Sequence, residues 1–90
     1  MNILKAKQLF EQNELIKSKE ILTQLIFDNP VDIDSLILRG RISNKMQNLG
    51  DAMNDFAAVL DIDPDNLDAK TGLEMAKSIL GYFTPDMFNP

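Results

Sequence analysis

The densest run of chemically capable side chains in this sequence is acidic. Asp61, Asp63, Asp65 and Asp68 gather carboxylates in one short stretch, the oxygen-donor chemistry that holds a hard cation such as calcium. A helix-flanked calcium loop also needs glycine at its sixth place, for the sharp turn, and glutamate at its twelfth, for bidentate ligation. Counted from Asp61, those places hold Asn66 and Gly72, so the ligand set fails. The same aspartates suit turns and helix caps, where a short carboxylate accepts from nearby backbone N–H groups. The sequence has no histidine and no cysteine, which removes imidazole bases, thiolate nucleophiles, disulfides and the commonest transition-metal ligands. No carboxylate pair is set apart by its pattern for acid–base work, and neither a glycine-rich phosphate loop nor a nucleophile elbow occurs. The expectation is a protein that is not an enzyme and uses no cofactor or metal.

The remaining candidates are cations. Lys7 and Arg41 lie 34 residues apart and meet when the chain is laid on itself at that offset. They belong to an acidic protein, with 14 acidic residues against 9 basic ones and a formal charge of −5. That is the wrong sign for neutralising phosphates over a broad face, so nucleic acid is not an expected partner. No uninterrupted apolar run follows the N-terminal lysines, so neither a signal peptide nor a membrane span is expected. With cysteine absent, the expected location is cytoplasmic.

The elements that would position these side chains are helices. From Ile3 to Phe10 and from Leu15 to Ile26, apolar residues recur at steps of three and four, which gathers them on one stripe of each helix. Asn13 falls in the polar break between the stripes. Pro30 ends the second helix, because it lacks a backbone N–H and pushes Asn29 out of the helical region, and Asp32 or Asp34 can cap the next. The punctuation returns at 63–66 as Asp-Pro-Asp-Asn. At the 34-residue offset Ile3 meets Ile37, Leu4 meets Leu38, Ala6 meets Gly40, Ser18 meets Ala52, Leu22 meets Phe56 and Pro30 meets Pro64. Helices are expected at about 2–12, 15–28, 32–46, 49–61 and 67–80. Gly40 inside a helix costs about 1 kcal/mol against alanine, which close approach of the paired helix opposite Ala52 would offset.

Gly40, Ala52, Phe56 and Pro64, within a second repeat from Ile33 to Asn66, carry a resemblance to the tetratricopeptide repeat family. The stretch NLGDAMNDFAAVLDIDPDN is the closest match, and the first repeat is looser, with Ala6, Ser18, Leu22 and Pro30. The sequence departs from the family pattern at Ser43, Leu36 and Gln47, where tyrosine, tryptophan and glycine are usual. The resemblance implies an all-α fold, a right-handed stack of two helix-turn-helix hairpins with a C-terminal capping helix. Repeats would cover about 1–32 and 33–66 and the cap 67–80, within a domain of 1–82, with 83–90 packed on it as a tail.

In the cap, Leu67, Leu73, Ala76 and Leu80 are the expected buried stripe, Lys70, Glu74 and Lys77 the wet side, and Gly81 the closing residue. Thr84 and Pro85 would open a short turn, and Tyr82, Phe83, Met87 and Phe88 would fold back on the cap or enter a groove.

The resemblance further implies a peptide-binding groove on the concave side. Its residues are Ile3, Lys7, Phe10 and Glu11 in the first repeat, and Asp34, Ile37, Arg41, Asn44 and Lys45 in the second. Lys7 and Arg41 would stand side by side near Ile3, Phe10 and Ile37, which suits another protein or peptide carrying an acidic group and an apolar anchor. The family's carboxylate clamp is absent, since its places hold Ile3, Lys7 and Leu38. The expected function is protein binding as an adaptor or scaffold. The alternative is a self-associating module or secretion-type chaperone, in which a weak homodimer completes the thin core that 90 residues can bury.

Overall fold

The computed structural model describes residues 2–83, and among them every regular element is a helix. These are α1 (Ile3–Glu11), α2 (Leu15–Asp28), α3 (Ile33–Lys45), α4 (Leu49–Ile62) and α5 (Leu67–Phe83). Consecutive helices pack as neighbours, and α3 also touches both α1 and α5. That second set of contacts distinguishes a stack of hairpins from a bundle, because it lays α1, α3 and α5 alongside one another. The fold is all-α and tetratricopeptide-like, two hairpins closed by a fifth helix.

The repeat holds in the backbone to single residues. α1 and α3 end in the same way, with Asn13 at φ 61° and Gln47 at φ 60°. Around each, two paired bonds finish the helix: the N–H groups of Asn13 and Glu14 donate to Phe10 and Leu9, and those of Gln47 and Asn48 to Asn44 and Ser43. This is the Schellman arrangement, whose left-handed residue is usually glycine. The starts repeat as well. Ser35 donates its N–H to the Asp32 carboxylate at 3.3 Å, and Ala69 donates to the Asn66 side chain at 2.9 Å. Asp32 thus caps α3, and Asn66 plays the same part for α5.

Two apolar clusters form the core. One gathers Ala6, Leu22, Leu38 and Ile42, tying the first hairpin to α3. The other surrounds the fully buried ring of Phe56 with Leu36, Ile37, Ala52, Val59, Ala69 and Ala76. Ser18 is also fully buried and donates its hydroxyl to the Ala6 carbonyl at 2.7 Å. The expected close approach at Gly40 is present, but its nearest atoms belong to Phe56 rather than Ala52. A Cβ on Gly40 would come within 2.7 Å of the ring.

α5 departs from expectation in two respects. It continues through Gly81 to Phe83, because no described glycine takes the positive φ that would turn the chain out of the helix. Its buried seam runs through Ala69, Gly72 and Ala76, with Leu73 partly covered, whereas Leu67 is 74 % exposed. The small residues win because Phe56 projects from α4 into the space where larger side chains would sit: a Cβ on Gly72 would meet its ring at 2.3 Å. The expected wet side is exposed, with Lys70 and Lys77 paired to Asp65 and Glu74. The expected tail contacts fall outside the described residues.

Candidate functional site

The wall made by α1, α3 and α5 contains two adjoining hollows. The larger, about 380 Å³, is mostly apolar at its surface. Phe10 comes to it from α1, Arg41, Asn44 and Lys45 from α3, and Asp68, Thr71, Gly72 and Met75 from α5. The smaller, about 200 Å³, is lined by Lys7, Asp34, Ile37, Leu38, Arg41 and Asp68. Arg41 and Asp68 line both, which makes the two hollows one continuous surface.

Seven of the nine residues expected from the sequence line these hollows, and Ile3 and Glu11 line neither. Ile3 instead packs partly buried against the Leu22 cluster, and Glu11 is exposed at the end of α1. Ile37 is 8 % exposed, so most of its side chain serves the Phe56 cluster and only an edge reaches the surface. Lys7 and Arg41 do line the same hollow, but Asp34 and Asp68 share it. Their two carboxylates equal the two cations there in formal charge.

At the larger hollow the balance differs. Lys45 places its Nζ 5.1 Å from the centroid of the Phe10 ring, a cation–π contact that bridges α1 and α3. Asn44, 7 % exposed, donates its Nδ2 to the Gly72 carbonyl at 3.2 Å and so fixes α3 against α5. Its Oδ1 is buried without a hydrogen-bond partner. Gly72 contributes backbone to the lining, because a Cβ there would point away into the Phe56 ring behind it.

The ion pairs of the described residues engage Lys19, Arg39, Lys70 and Lys77. Lys7, Arg41 and Lys45 make none. The strongest pair, Arg39 to Asp55, is two-pronged at 2.9 and 2.8 Å. Hydrogen bonding to Asp55 holds the Arg39 guanidinium above its ordinary pKa despite partial burial, with the charges of Asp55 and Asp51 adding to it. These residues line a separate polar notch of about 280 Å³ with Lys19, Asn54 and Ser43. Ser43 is fully buried and its Oγ lacks a partner; the corresponding place in the first hairpin holds Leu9.

The nine expected residues include none from α5, although the register contains its contribution. Asp68, Thr71 and Met75 lie 34 residues after Asp34, Ile37 and Arg41. The offset that aligns Ile3 with Ile37 and Lys7 with Arg41 therefore assigns the third rung as well. α5 thus lines both hollows together with α3.

Comparison with known proteins gives one partial likeness. No family model matches the chain, and no solved structure does. The chain is 28 % identical over 76 residues to the DnaJ homolog subfamily C member 7 homolog of Schizosaccharomyces pombe. That match covers 84 % of this chain and 16 % of the relative. The chain therefore spans a small part of the protein it is similar to.

Among the described residues no helix is long and apolar enough to cross a membrane, and no group of His, Cys, Asp and Glu is arranged to hold a metal ion.

Proposed function

We propose that this chain is a protein-interaction module that holds a segment of another polypeptide on the wall formed by α1, α3 and α5, acting as an adaptor or scaffold. One observation carries the reading: the leading helices line an open, mostly apolar hollow of about 380 Å³ whose neighbouring cations have no ion-pair partner among the described residues. An apolar floor favours burial of a side chain, and polar groups at its rim set which side chain and which register. The proposed role requires neither catalysis nor a cofactor. The partial likeness to a DnaJ homologue, confined to one stretch of a much longer protein, is compatible with a helical module that works as a segment. A cytoplasmic location is part of the proposal.

The test is capture of partners from native cell extract by the unaltered chain and by a Lys7→Glu, Arg41→Glu double variant. Both side chains are exposed and make no ion pair among the described residues, so the variant should remain folded and lose the partners. An unchanged set of captured proteins rules out the groove.

A second reading, self-association, is favoured by the first hairpin. It exposes Ile16 (64 %), Phe27 (80 %) and Val31 (62 %) where the second hairpin carries Gly50, Asp61 and Asp65. A second copy covering this surface would complete a thin core. Light scattering across a concentration series separates the readings, since a monomer throughout excludes self-association.

A further inference from the structure

The two hollows differ in charge, and the difference specifies a ligand. At the smaller one Lys7 and Arg41 face Asp34 and Asp68, so an added carboxylate meets as much repulsion as attraction. At the larger one Arg41 and Lys45 face Asp68 alone, beside an apolar seat made by Phe10, Gly72 and Met75. Met75 is 52 % exposed and unbranched, a side chain that can mould itself around an incoming group. Lys45 directs its charge at the Phe10 ring in the free protein, a weak interaction that a carboxylate can replace with a stronger one.

We infer, building on the groove reading above, that the occupant is an internal peptide segment in which an Asp or Glu lies next to a large apolar residue. The apolar side chain sits between Phe10 and Met75 over Gly72, and the acidic side chain is held by Lys45 with Arg41. Acid recognition therefore belongs to the Lys45 end of the wall, and Lys7 takes little part. An internal segment is specified because Arg41 and Asp68 line both hollows, so the open surface continues past the seat and lets a chain run on beyond it. Of the other large exposed apolar residues, Leu4, Ile16, Phe27 and Val31 belong to the first hairpin and Ile62 and Leu67 to the α4–α5 connection, and none of them lines the hollow that Arg41 and Lys45 share.

The experiment is selection of linear peptides from a randomised display library on the full chain. The best binders are then synthesised with amidated C-termini and measured by fluorescence polarisation. Selected peptides should pair Asp or Glu with Leu, Met or Phe. Their affinity should fall about tenfold with Lys45→Glu, while Lys7→Glu changes it less than about twofold. Met75→Asp should weaken them similarly to Lys45→Glu, and Lys45→Gln should give an intermediate loss. Circular dichroism of each variant confirms that the helices remain.

Peptides that bind but are enriched in Lys or Arg, or that lose affinity equally with Lys7→Glu and Lys45→Glu, overturn the inference and leave the groove reading intact. Peptides that require a free C-terminal carboxylate also overturn it. Failure of the folded chain to select any peptide defeats the groove reading itself, and the inference with it.

Discussion

Alanine at Gly72 should destabilise this protein, although the same substitution in most helices does the reverse. Gly72 lies inside α5, where alanine would gain about 1 kcal/mol in helix propensity. Against that gain stands the Phe56 ring, whose Cζ, Cε1 and Cε2 would lie 2.3, 2.5 and 2.6 Å from the new Cβ. The ring has little room to retreat. It is fully buried within its cluster, and it also abuts Gly40, where a Cβ would already be 2.7 Å away. Overpacking a well-filled core costs about 1–3 kcal/mol, and contacts this short belong at the upper end, leaving a net loss of about 1–2 kcal/mol. For a domain of this size the melting temperature should fall by roughly 5–15 °C.

Gly50 supplies the internal control. It lies in the first turn of α4, and a Cβ added there would have nothing within 4 Å, so Gly50→Ala should stabilise by about 0.5 kcal/mol. Urea and thermal unfolding of the two variants, with Phe56→Leu alone and combined with Gly72→Ala, give the energies. The smaller Leu side chain should absorb the methyl, so the combined variant should be more stable than additivity requires by about 1 kcal/mol. Should Gly72→Ala raise the melting temperature as Gly50→Ala does, the packing of Phe56 between two glycines is wrong.

Other substitutions test the repeat and its ion pair. Gln47→Gly should stabilise by up to about 1 kcal/mol, because φ 60° strains a glutamine, and Asn13→Gly should gain less because asparagine tolerates that region; equilibrium unfolding measures both. Asp55→Ala should cost about 2 kcal/mol by stranding Arg39, and a double-mutant cycle with Arg39→Ala should recover a coupling of at least about 1 kcal/mol. The pH dependence of that difference follows from the raised pKa of Arg39. Such a group stabilises fully below its unfolded value and loses the contribution only as pH rises through the folded value. Wild type and Asp55→Ala should therefore differ by the same amount from neutral to moderately alkaline pH, as measured by urea unfolding at each pH.

The helical pattern is legible in the sequence because it rests on local rules. Apolar spacing places α2 at its observed limits, and the Pro30 and Pro64 breaks set the hairpin boundaries within a residue or two. The 34-residue register is legible for the same reason, and it reaches finer features than side-chain type: Gln47 shares with Asn13 a left-handed backbone conformation that asparagine tolerates and glutamine does not advertise. Contacts between distant elements are not legible in this way. Leu67 looks like a core residue by periodicity, yet the reach of Phe56 from α4 sets the α5 seam on Ala69, Gly72 and Ala76. At the smaller hollow, single-residue matching pairs Lys7 with Arg41 but does not show that Asp34 and Asp68 stand with them, since that depends on how α5 lies against α3. Lys45 belongs to the wall by its place in the repeat; only the structure puts its ammonium over Phe10.

Amide and methyl chemical-shift mapping of the full chain, titrated with a peptide selected from the display library, tests the binding wall most directly. Shifts should concentrate on Phe10, Arg41, Asn44, Lys45, Thr71 and Met75, with little change along α2 and α4. Shifts centred instead on Ile16, Thr23 and Phe27 would put the ligand on the first hairpin and contradict the role assigned to α1, α3 and α5.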